Sequence, residues 1–261
     1  MASYLNSGMR LNPVFRISKH VLASRPYHIQ AKPGDIAERV LVVGDPGRAD
    51  LVANELLSSA KPVNMHRGFN TYTGYFNGVR VTVSTHGIGA PSAAIVLEEL
   101  KMLGAKLVIR LGTCGGLIRD VKIGDIVVAL GAAYQPGGTL GMYAPDLCYP
   151  AVADPEVVLE LERGMAEEGL RIHRGLVASS DAFHAEEDKL EFRSKLGLIA
   201  VEMECATIFT VSRIRGLRPG AALMVIDNLA TGEFMENEAK RRELTLKAAR
   251  GALRALTRVE L

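Results

Sequence analysis

Short apolar runs that end in glycine-rich turns alternate with amphipathic stretches from Val40 to the end of the chain. Several of these runs are apolar at every position, which is typical of strands that helices cover on both faces. The alternation of such strands with helices indicates an α/β fold. Strands are predicted at residues 40–43, 79–84, 107–111, 126–130, 175–178 and 221–226.

Helices are predicted where apolar residues recur at helical spacing between these runs. The first of them begins with Pro91, since proline suits the first turn of a helix, and ends before Gly104. The same arrangement recurs from Pro155 to Gly169. The predicted helices cover residues 91–103, 155–168, 202–216 and 236–257, and with the strands they predict one α/β domain over residues 27–261.

Residues 1–26 differ from the rest of the chain. They carry scattered basic residues and two prolines but show no periodicity of a strand or a helix. We expect them to form an N-terminal extension ahead of the folded domain. A misassigned start codon would leave the same pattern, so both explanations stay open.

The charge balance narrows the classes of partner. The 261-residue chain has 31 lysines and arginines against 29 acids, a net charge of +2. Nucleic-acid and anionic-membrane binding normally rely on a strongly basic surface, so neither partner is expected. No window holds the roughly 20 apolar residues of a membrane helix, and the start lacks the apolar stretch of a secretory signal. We therefore expect a soluble, cytoplasmic protein.

The three cysteines, Cys114, Cys148 and Cys205, are too few and too scattered for a disulfide scaffold. None of their spacings matches a metal site, so no metal is predicted. This usage favours a reducing compartment. A disulfide from Cys148 to a second copy of the chain stays open as an alternative.

Glycines cluster after three predicted strands, at residues 44–48, 86–89 and 112–116. In open α/β sheets, ligands bind beyond the carboxyl ends of the strands, where glycines let backbone N–H groups approach an anion. Neither the phosphate-binding loop of ATPases nor the glycine signature of NAD-binding proteins occurs. Each cluster alone is explained as a tight turn, but the three together with nearby arginines predict one anion-binding pocket.

Arg48, Arg67 and Arg110 are those arginines. Arg110 interrupts the apolar run at 107–111, and a buried guanidinium is unstable unless an anion or an acid neutralises it. A bound anion is the favoured counter-charge, with a structural salt bridge as the alternative. Arg48 and Arg67, each taken separately, are more often solvated loop residues.

Three acids and one aromatic residue complete the candidates. Glu202 and Glu204 stand where an apolar run meets a helix, so one can bind the hydroxyls of a ribose while the other braces the structure. A pair of helix N-terminal acids is the alternative. Asp227 follows the run 222–226, where desolvation would raise its pKa and let it donate a proton, unless it only opens a turn. Phe183 could stack on a flat ligand, although an aromatic residue is more often part of the core.

These residues stand in seven ordered motifs that closely resemble those of the purine nucleoside and uridine phosphorylase family. The resemblance runs from about Tyr27 to the C-terminus. Pro26-Tyr-His-Ile29 and residues 37–44 and 201–206 are most similar to the archaeal purine nucleoside and 5′-methylthioadenosine phosphorylases. The seven motifs are Gly44-Asp-Pro-Gly-Arg48, Arg67-Gly68, His86-Gly-Ile-Gly-Ala-Pro-Ser92, Arg110-Leu-Gly-Thr-Cys-Gly115, Ser179-Ser-Asp-Ala-Phe183, Val201-Glu-Met-Glu204 and Asp227-Asn228.

The resemblance implies a single domain with a mixed, twisted central β-sheet flanked by helices, the nucleoside phosphorylase fold. It also implies a reaction in which phosphate splits a nucleoside into free base and ribose 1-phosphate, without a metal or an organic cofactor. By similarity, the phosphate ligands would be Gly44, Arg48, Arg110 and Thr113, with Arg67 supplied by a neighbouring subunit.

The remaining roles are implied in the same way. Asp227 would protonate N7 of a purine, and Arg241, with Arg242 as the alternative, would support that acid. Phe183 would stack on the base. The ribose would contact Ile88, Met203 and Glu204, with His28 supplied by a neighbouring subunit. Shared sites of this kind imply a homo-oligomer, expected as a hexamer built from dimers.

The motifs leave the nucleoside open. Ile226 and Ile88 stand where some relatives have serine and methionine. The uridine branch of the family carries a glutamine and an arginine shortly after the aromatic residue, and residues 184–189 contain neither. We therefore expect cleavage of purine nucleosides, namely inosine, guanosine, adenosine or 5′-methylthioadenosine. The alternatives are a uridine phosphorylase, a nucleosidase that uses water, and a binding protein that has lost activity.

Overall fold

The computed structural model describes residues 26–185 and 189–261. The predicted N-terminal extension therefore lies outside the described residues except for Pro26, and so does the middle of the 184–189 stretch. The described part holds ten strands and seven helices. It forms one α/β domain.

The strands are β1 (Arg39–Val43), β2 (Ser58–Asn64), β3 (Thr71–Phe76), β4 (Val79–Thr85), β5 (Leu107–Gly116), β6 (Ile126–Ala133), β7 (Ile172–Ser179), β8 (Leu198–Glu202), β9 (Arg218–Asn228) and β10 (Glu233–Phe234). The helices are α1 (Pro46–Leu56), α2 (Ala90–Met102), α3 (Gly138–Tyr143), α4 (Pro155–Glu167), α5 (Leu190–Lys195), α6 (Cys205–Ile214) and α7 (Glu238–Arg258).

All ten strands belong to one mixed sheet in the order β10-β9-β6-β7-β8-β5-β1-β4-β3-β2. Strand β5 pairs with β1 and β9 in parallel and also with β8 in antiparallel orientation. Because β5 meets both β8 and β9, the strands β5, β9, β6, β7 and β8 form a closed ring. The mixed sheet flanked by helices is as predicted, whereas the ring closure was not.

The helices pack in two groups around this sheet. Helices α1 and α4 contact α7, and α2 and α3 contact α6. Both groups touch β5 and β9, which are buried along almost their whole length. Burial on both faces explains why these strands have apolar runs instead of an alternating pattern.

Each of the six predicted strands is present, and β5 differs most from its prediction. It continues to Gly116 instead of ending at residue 111, so the glycines at 112–116 belong to a strand and not to a loop. Glycine is disfavoured in strands, which hid this extension in the sequence. The two-sided pairing with β8 and β9 holds the segment extended.

The other differences also arise from tertiary pairing. Helix α6 begins at Cys205 and not at residue 202, because residues 198–202 form β8 beside β7. Strand β2 was missed because most of its side chains are exposed and lack an apolar run. Helix α1 was missed although its signal was present: Asp45 caps the helix by accepting a hydrogen bond from the Gly47 N–H, and Pro46 occupies the first turn.

The long helix α7 packs on α4 with the two backbones in direct contact. Gly164 of α4 faces Gly251 of α7, and a Cβ on Gly164 would lie 2.3 Å from the Gly251 carbonyl oxygen. This distance is far below van der Waals contact, so a larger residue would push the helices apart. Glycine is retained here despite its low helix propensity.

We expect Gly164→Ala to lower the free energy of unfolding by about 1–3 kcal/mol, the usual range for overpacking. The matched control is Gly141→Ala in α3, where a Cβ meets nothing within 4 Å. There the better helix propensity of alanine should leave stability unchanged or raise it by up to about 1 kcal/mol. Urea unfolding of both variants checks this, and equal stabilities would contradict the close helix contact.

Candidate active site

A cavity of about 920 Å³ opens at the carboxyl ends of β1, β5 and β9. It brings together residues that are far apart in the sequence and that come from β5, β8, β9 and the turns after β1 and β4. The predicted site residues that line it are Gly44, Arg48, Ile88, Arg110, Thr113, Phe183, Met203, Glu204 and Asp227. His28, Arg67 and Arg241 do not line it.

Arg48 lies in the first turn of α1, directly after the glycine-rich turn that follows β1. Its Nη1 donates to the Leu111 carbonyl at 3.2 Å, which anchors the side chain against β5. Burial and, as the second cause, the nearby Arg110 together lower the pKa of Arg48 to about 10. A buried cation that is repelled by a second cation is stabilised by an anion, so Arg48 favours anion binding in this cavity.

Arg110 lies inside β5 and is only 3% exposed. Its side chain folds back over Gly112, where a Cβ would lie 2.6 Å from the guanidinium carbon. Glycine at residue 112 is thus required for this arrangement. Nη2 of Arg110 lies 2.5 Å from Glu204 Oε2 and 3.2 Å from Glu202 Oε2. Burial alone would lower the pKa of Arg110, but the two carboxylates outweigh it and hold that pKa above its usual range.

The structural salt bridge that sequence reasoning kept as an alternative for Arg110 is therefore present. It does not remove the guanidinium from the cavity, because Arg110 and both of its acids are among the lining residues. Together the three groups carry a net charge of about −1 when both carboxylates are ionised. The positive charge of Arg48 brings the net charge of these four side chains back toward zero.

The two neighbouring acids have different surroundings. Glu202 Oε2 accepts hydrogen bonds from the backbone N–H groups of Glu204 and Cys205, both at 2.8 Å, and its Oε1 accepts from the Ser179 hydroxyl. Glu202 therefore braces the start of α6. The expectation that one acid braces the structure is met by Glu202, while Glu204 is the one whose contacts reach across the cavity.

Glu204 joins two sides of the cavity. Its Oε1 accepts from the Gly89 N–H at 2.7 Å, at the start of α2, and its Oε2 meets Arg110. Burial raises the pKa of Glu204, Arg110 opposes this shift, and Glu202 adds to it. A carboxylate with two fixed oxygens at the edge of a cavity can accept hydrogen bonds from a vicinal diol.

Asp227 stands near the end of β9, which pairs with β5 along the edge opposite to β1, the strand that leads into α1. In the sheet it pairs with Gly115 of β5 and with Phe234 of β10. Arg241 lies behind this strand: Nη2 donates to the Met235 carbonyl at 2.6 Å, and the guanidinium carbon lies 5.5 Å from the Phe234 ring centre. Arg241 is thus close to the strand pair that carries Asp227 but outside the cavity wall.

The mouth of the cavity is apolar. Ile88 and Phe183 are 77% and 69% exposed, and Met203 is half-buried between them and the acids. Large exposed apolar side chains at a cavity entrance can pack on the flat faces of a ligand or on a covering surface. Because most of the Phe183 side chain is exposed, the alternative that Phe183 is a core residue is wrong.

His28 and Arg67 lie outside the cavity of their own chain. The backbone N–H groups of Tyr27, His28 and Ile29 donate to the Glu99 carboxylate, and His28 Nδ1 lies 2.8 Å from Glu99 Oε1. Arg67 is exposed and has φ of 57°, an uncommon conformation for a non-glycine residue. The Arg67 side chain is thus at the surface, whereas the His28 side chain is 22% exposed and is held by Glu99.

Sequence reasoning missed several residues at the site. Cys114 and Leu229 line the cavity, and His86 lies behind it against Arg110. His86 begins the motif at residues 86–92, but the sequence analysis assigned a role to the glycines and to Ile88 of that motif and none to the histidine. Burial raises the pKa of the Cys114 thiol, so Cys114 serves as wall and not as a nucleophile.

Neither a metal site nor a membrane span occurs in the described residues. Among residues 26–185 and 189–261, no three His, Cys, Asp or Glu side chains are grouped as metal ligands. No helix in that part of the chain is both long and apolar enough to cross a membrane. That the reaction needs no cofactor stays a prediction.

Comparison with known proteins assigns the family. A family model described as the phosphorylase superfamily matches residues 38–257. A uridine phosphorylase from Thermococcus kodakarensis is 37% identical over 254 residues, covering 89% of this chain and 90% of its own. A guanosine phosphorylase from Halorubrum lacusprofundi is 38% identical over 212 residues, covering 81% of this chain and 86% of its own.

The fold comparison agrees. The crystal structure of a uridine phosphorylase from Vibrio fischeri superimposes with a TM-score of 0.83 at 29% identity, covering 90% of this chain and 98% of that one. Family, fold and cavity all point to the same class of enzyme. The chain belongs to the phosphorylase superfamily and is a glycosyltransferase of the nucleoside phosphorylase type.

Proposed function

We propose that the protein is a purine nucleoside phosphorylase, which uses inorganic phosphate to cleave the N-glycosidic bond and releases free base and ribose 1-phosphate. The observation that carries the proposal is the convergence of Arg48, Arg110, Glu204 and Asp227 on one cavity. Two cations suit phosphate, one carboxylate suits the ribose hydroxyls, and a second acid, Asp227, lines the cavity from β9. The reaction needs no metal or organic cofactor in this proposal.

Phosphate would bind between the start of α1 and β5. Arg48 and Arg110 supply charge-assisted hydrogen bonds, and the Gly44 turn and the Thr113 hydroxyl supply neutral donors. The N-terminus of α1 adds a favourable dipole. Arg67 of a neighbouring subunit would complete this set.

The nucleoside would bind across the rest of the cavity. Glu204 would accept hydrogen bonds from the ribose hydroxyls, with Met203 and Ile88 packed against the sugar and His28 of a neighbouring subunit near its 5′ end. Phe183 would stack on the base. This arrangement fixes the sugar carbon beside the phosphate, and such positioning can supply several kcal/mol of the rate enhancement.

Two opposite electrostatic demands meet in this reaction. Cleavage of the glycosidic bond builds positive charge on the ribose, which the adjacent phosphate dianion stabilises. Negative charge builds on the leaving purine, and a proton donated by Asp227 to N7 neutralises it. Arg241 would support Asp227 from behind β9, where its guanidinium contacts Phe234 and the Met235 carbonyl.

Uridine is the second candidate substrate, because two of the similar proteins are uridine phosphorylases. Against it stands the stretch 184–189, which lacks the glutamine and arginine expected after Phe183 in a uridine enzyme. The guanosine phosphorylase among the relatives supports a purine substrate. The balance of charges in the cavity would suit either base.

A panel of inosine, guanosine, adenosine, 5′-methylthioadenosine and uridine, each assayed with and without phosphate, tests the proposal. We expect base release from purine nucleosides that depends on phosphate, with ribose 1-phosphate or its 5-substituted form as the second product. Turnover of uridine alone would replace the purine assignment. Turnover in phosphate-free buffer would make the enzyme a nucleosidase.

We expect Asp227→Asn to reduce kcat for purine nucleosides by about 10²- to 10⁴-fold, the usual contribution of a general acid. The KM for phosphate should change little, because Asp227 lies on β9, across β5 from the strand that leads to Arg48. Steady-state kinetics with both substrates varied measure the two effects. Asp120→Asn, at an exposed loop residue, is the control. Equal loss of turnover and phosphate affinity would contradict the general-acid role.

We propose further that the enzyme is a cytoplasmic homo-oligomer, a hexamer built from dimers, with active sites shared between subunits. The support is that Arg67 and His28 both lie outside the cavity of their own chain. The exposed Ile88 and Phe183 at the cavity mouth would be covered by a second copy. Shared sites make the monomer incomplete.

Co-expression of Arg67→Ala and Asp227→Asn chains tests the sharing. Each homo-oligomer should be nearly inactive. In a mixed dimer, one of the two sites has the intact Asp227 of its own chain and the intact Arg67 of its neighbour. Random pairing makes about half of the two-fold symmetric dimers mixed, so about a quarter of all sites should be restored. Activity in the mixed sample no higher than in the separate variants would contradict sharing, provided that light scattering shows oligomers.

A further inference from the structure

His86 is a buried histidine directly behind the phosphate side of the proposed site. It follows the last residue of β4 and is 1% exposed. Its backbone N–H donates to the Val43 carbonyl at 2.7 Å, and its own carbonyl accepts from the Ser92 hydroxyl at 2.6 Å. The backbone is therefore fixed on both sides, and the imidazole lies near the Gly44 turn and beside Arg110 of β5.

The imidazole contacts Arg110. Its Nε2 lies 2.8 Å from Arg110 Nη1. Arginine has donors only, so Nε2 must be the acceptor, and the hydrogen of the neutral ring is on Nδ1. Burial holds the pKa of His86 well below its ordinary value, and the charge of Arg110 lowers it further, so the ring is neutral at physiological pH.

The contacts of Arg110 are divided between two kinds of acceptor. Nη2 meets the carboxylates of Glu204 and Glu202, whereas Nη1 meets the neutral ring of His86. With the acids alone, the guanidinium could rotate toward them and away from phosphate. A third carboxylate in place of His86 would hold it equally well but would add negative charge beside the anion site. A neutral acceptor fixes the orientation of the guanidinium without adding a further negative charge beside the anion site.

We propose that His86 is a positioning residue, which orients the Arg110 guanidinium for phosphate through the Nε2–Nη1 hydrogen bond. This inference rests on the proposed phosphorolytic function. His86 itself does not line the cavity, so it acts through Arg110 and not on a substrate. The ring also lies close to the Gly44 turn, since a Cβ on Gly44 would be 3.6 Å from its Cε1.

Three variants separate the hydrogen bond from the volume of the ring. In His86→Gln, the longer amide can place an oxygen near the position of Nε2. In His86→Asn, the shorter amide reaches only the position of Nδ1 and cannot meet Arg110. His86→Phe keeps the ring but removes the acceptor. The control is His173→Phe, which removes another histidine Nε2 at 2.7 Å from a charged partner, Asp125, away from the cavity.

We expect the KM for phosphate to rise by about 10- to 100-fold in the Asn and Phe variants, the range for loss of a hydrogen bond to a charged group. The Gln variant should stay within about threefold of the wild type. The KM for the nucleoside should change much less in all three, and the His173 control should leave both constants unchanged. Calorimetric titration with inorganic phosphate gives the same ranking without turnover.

Several results would overturn the positioning role. One is a phosphate KM in the Asn variant equal to that of the Gln variant, and another is a loss of affinity for both substrates that follows a lower melting temperature. The Gln and Asn variants are both polar and similar in size, so their comparison stands even when the Phe variant does not fold. A wild-type enzyme that turns over nucleosides without phosphate would instead refute the proposed function.

Discussion

A positive charge buried in the middle of a β-sheet has to be balanced, and the structure around the cavity follows from that constraint on Arg110. Removal of one partner from a buried ion pair typically costs about 3–5 kcal/mol, so the positions of Glu202 and Glu204 are strongly coupled to that of Arg110. Gly112 is needed because the guanidinium occupies the space above it. One charged residue in β5 thus determines the residue type at three other positions.

The closed ring of strands brings these groups together. Arg110 and Glu204 are 94 residues apart in the chain, yet Nη2 and Oε2 lie 2.5 Å apart because β8 pairs with the end of β5. On the other side, the pairing of β5 with β9 places Asp227 beside Gly115. The two acids with different proposed roles therefore reach the same cavity from the two neighbours of a single strand.

The Arg110–Glu204 pair also bears on how the enzyme would bind its substrates. In the proposed function, phosphate engages one member of the pair and ribose engages the other. Each substrate would then replace part of an interaction that already exists within the protein, and the anion would compensate the charge that Glu204 no longer neutralises. The neutral His86 ring and the Glu202 carboxylate, which the backbone N–H groups of Glu204 and Cys205 hold in place, would keep the guanidinium oriented during this exchange of partners.

The sequence by itself determined the α/β class, most of the central strands and nine of the residues that line the cavity. Apolar runs such as residues 40–43 and 221–226 reflect burial on both faces, which is a local and continuous signal, and the ordered motifs that contain Arg48, Arg110 and Asp227 are specific enough to identify the family. Only the tertiary structure decided that residues 112–116 are a strand and that α6 starts after Glu204. It also decided that Glu202 accepts hydrogen bonds from the start of α6, whereas Glu204 accepts one from Gly89. These features depend on which strands become neighbours of β5, and pairing between residues about a hundred positions apart leaves no periodic trace in either segment.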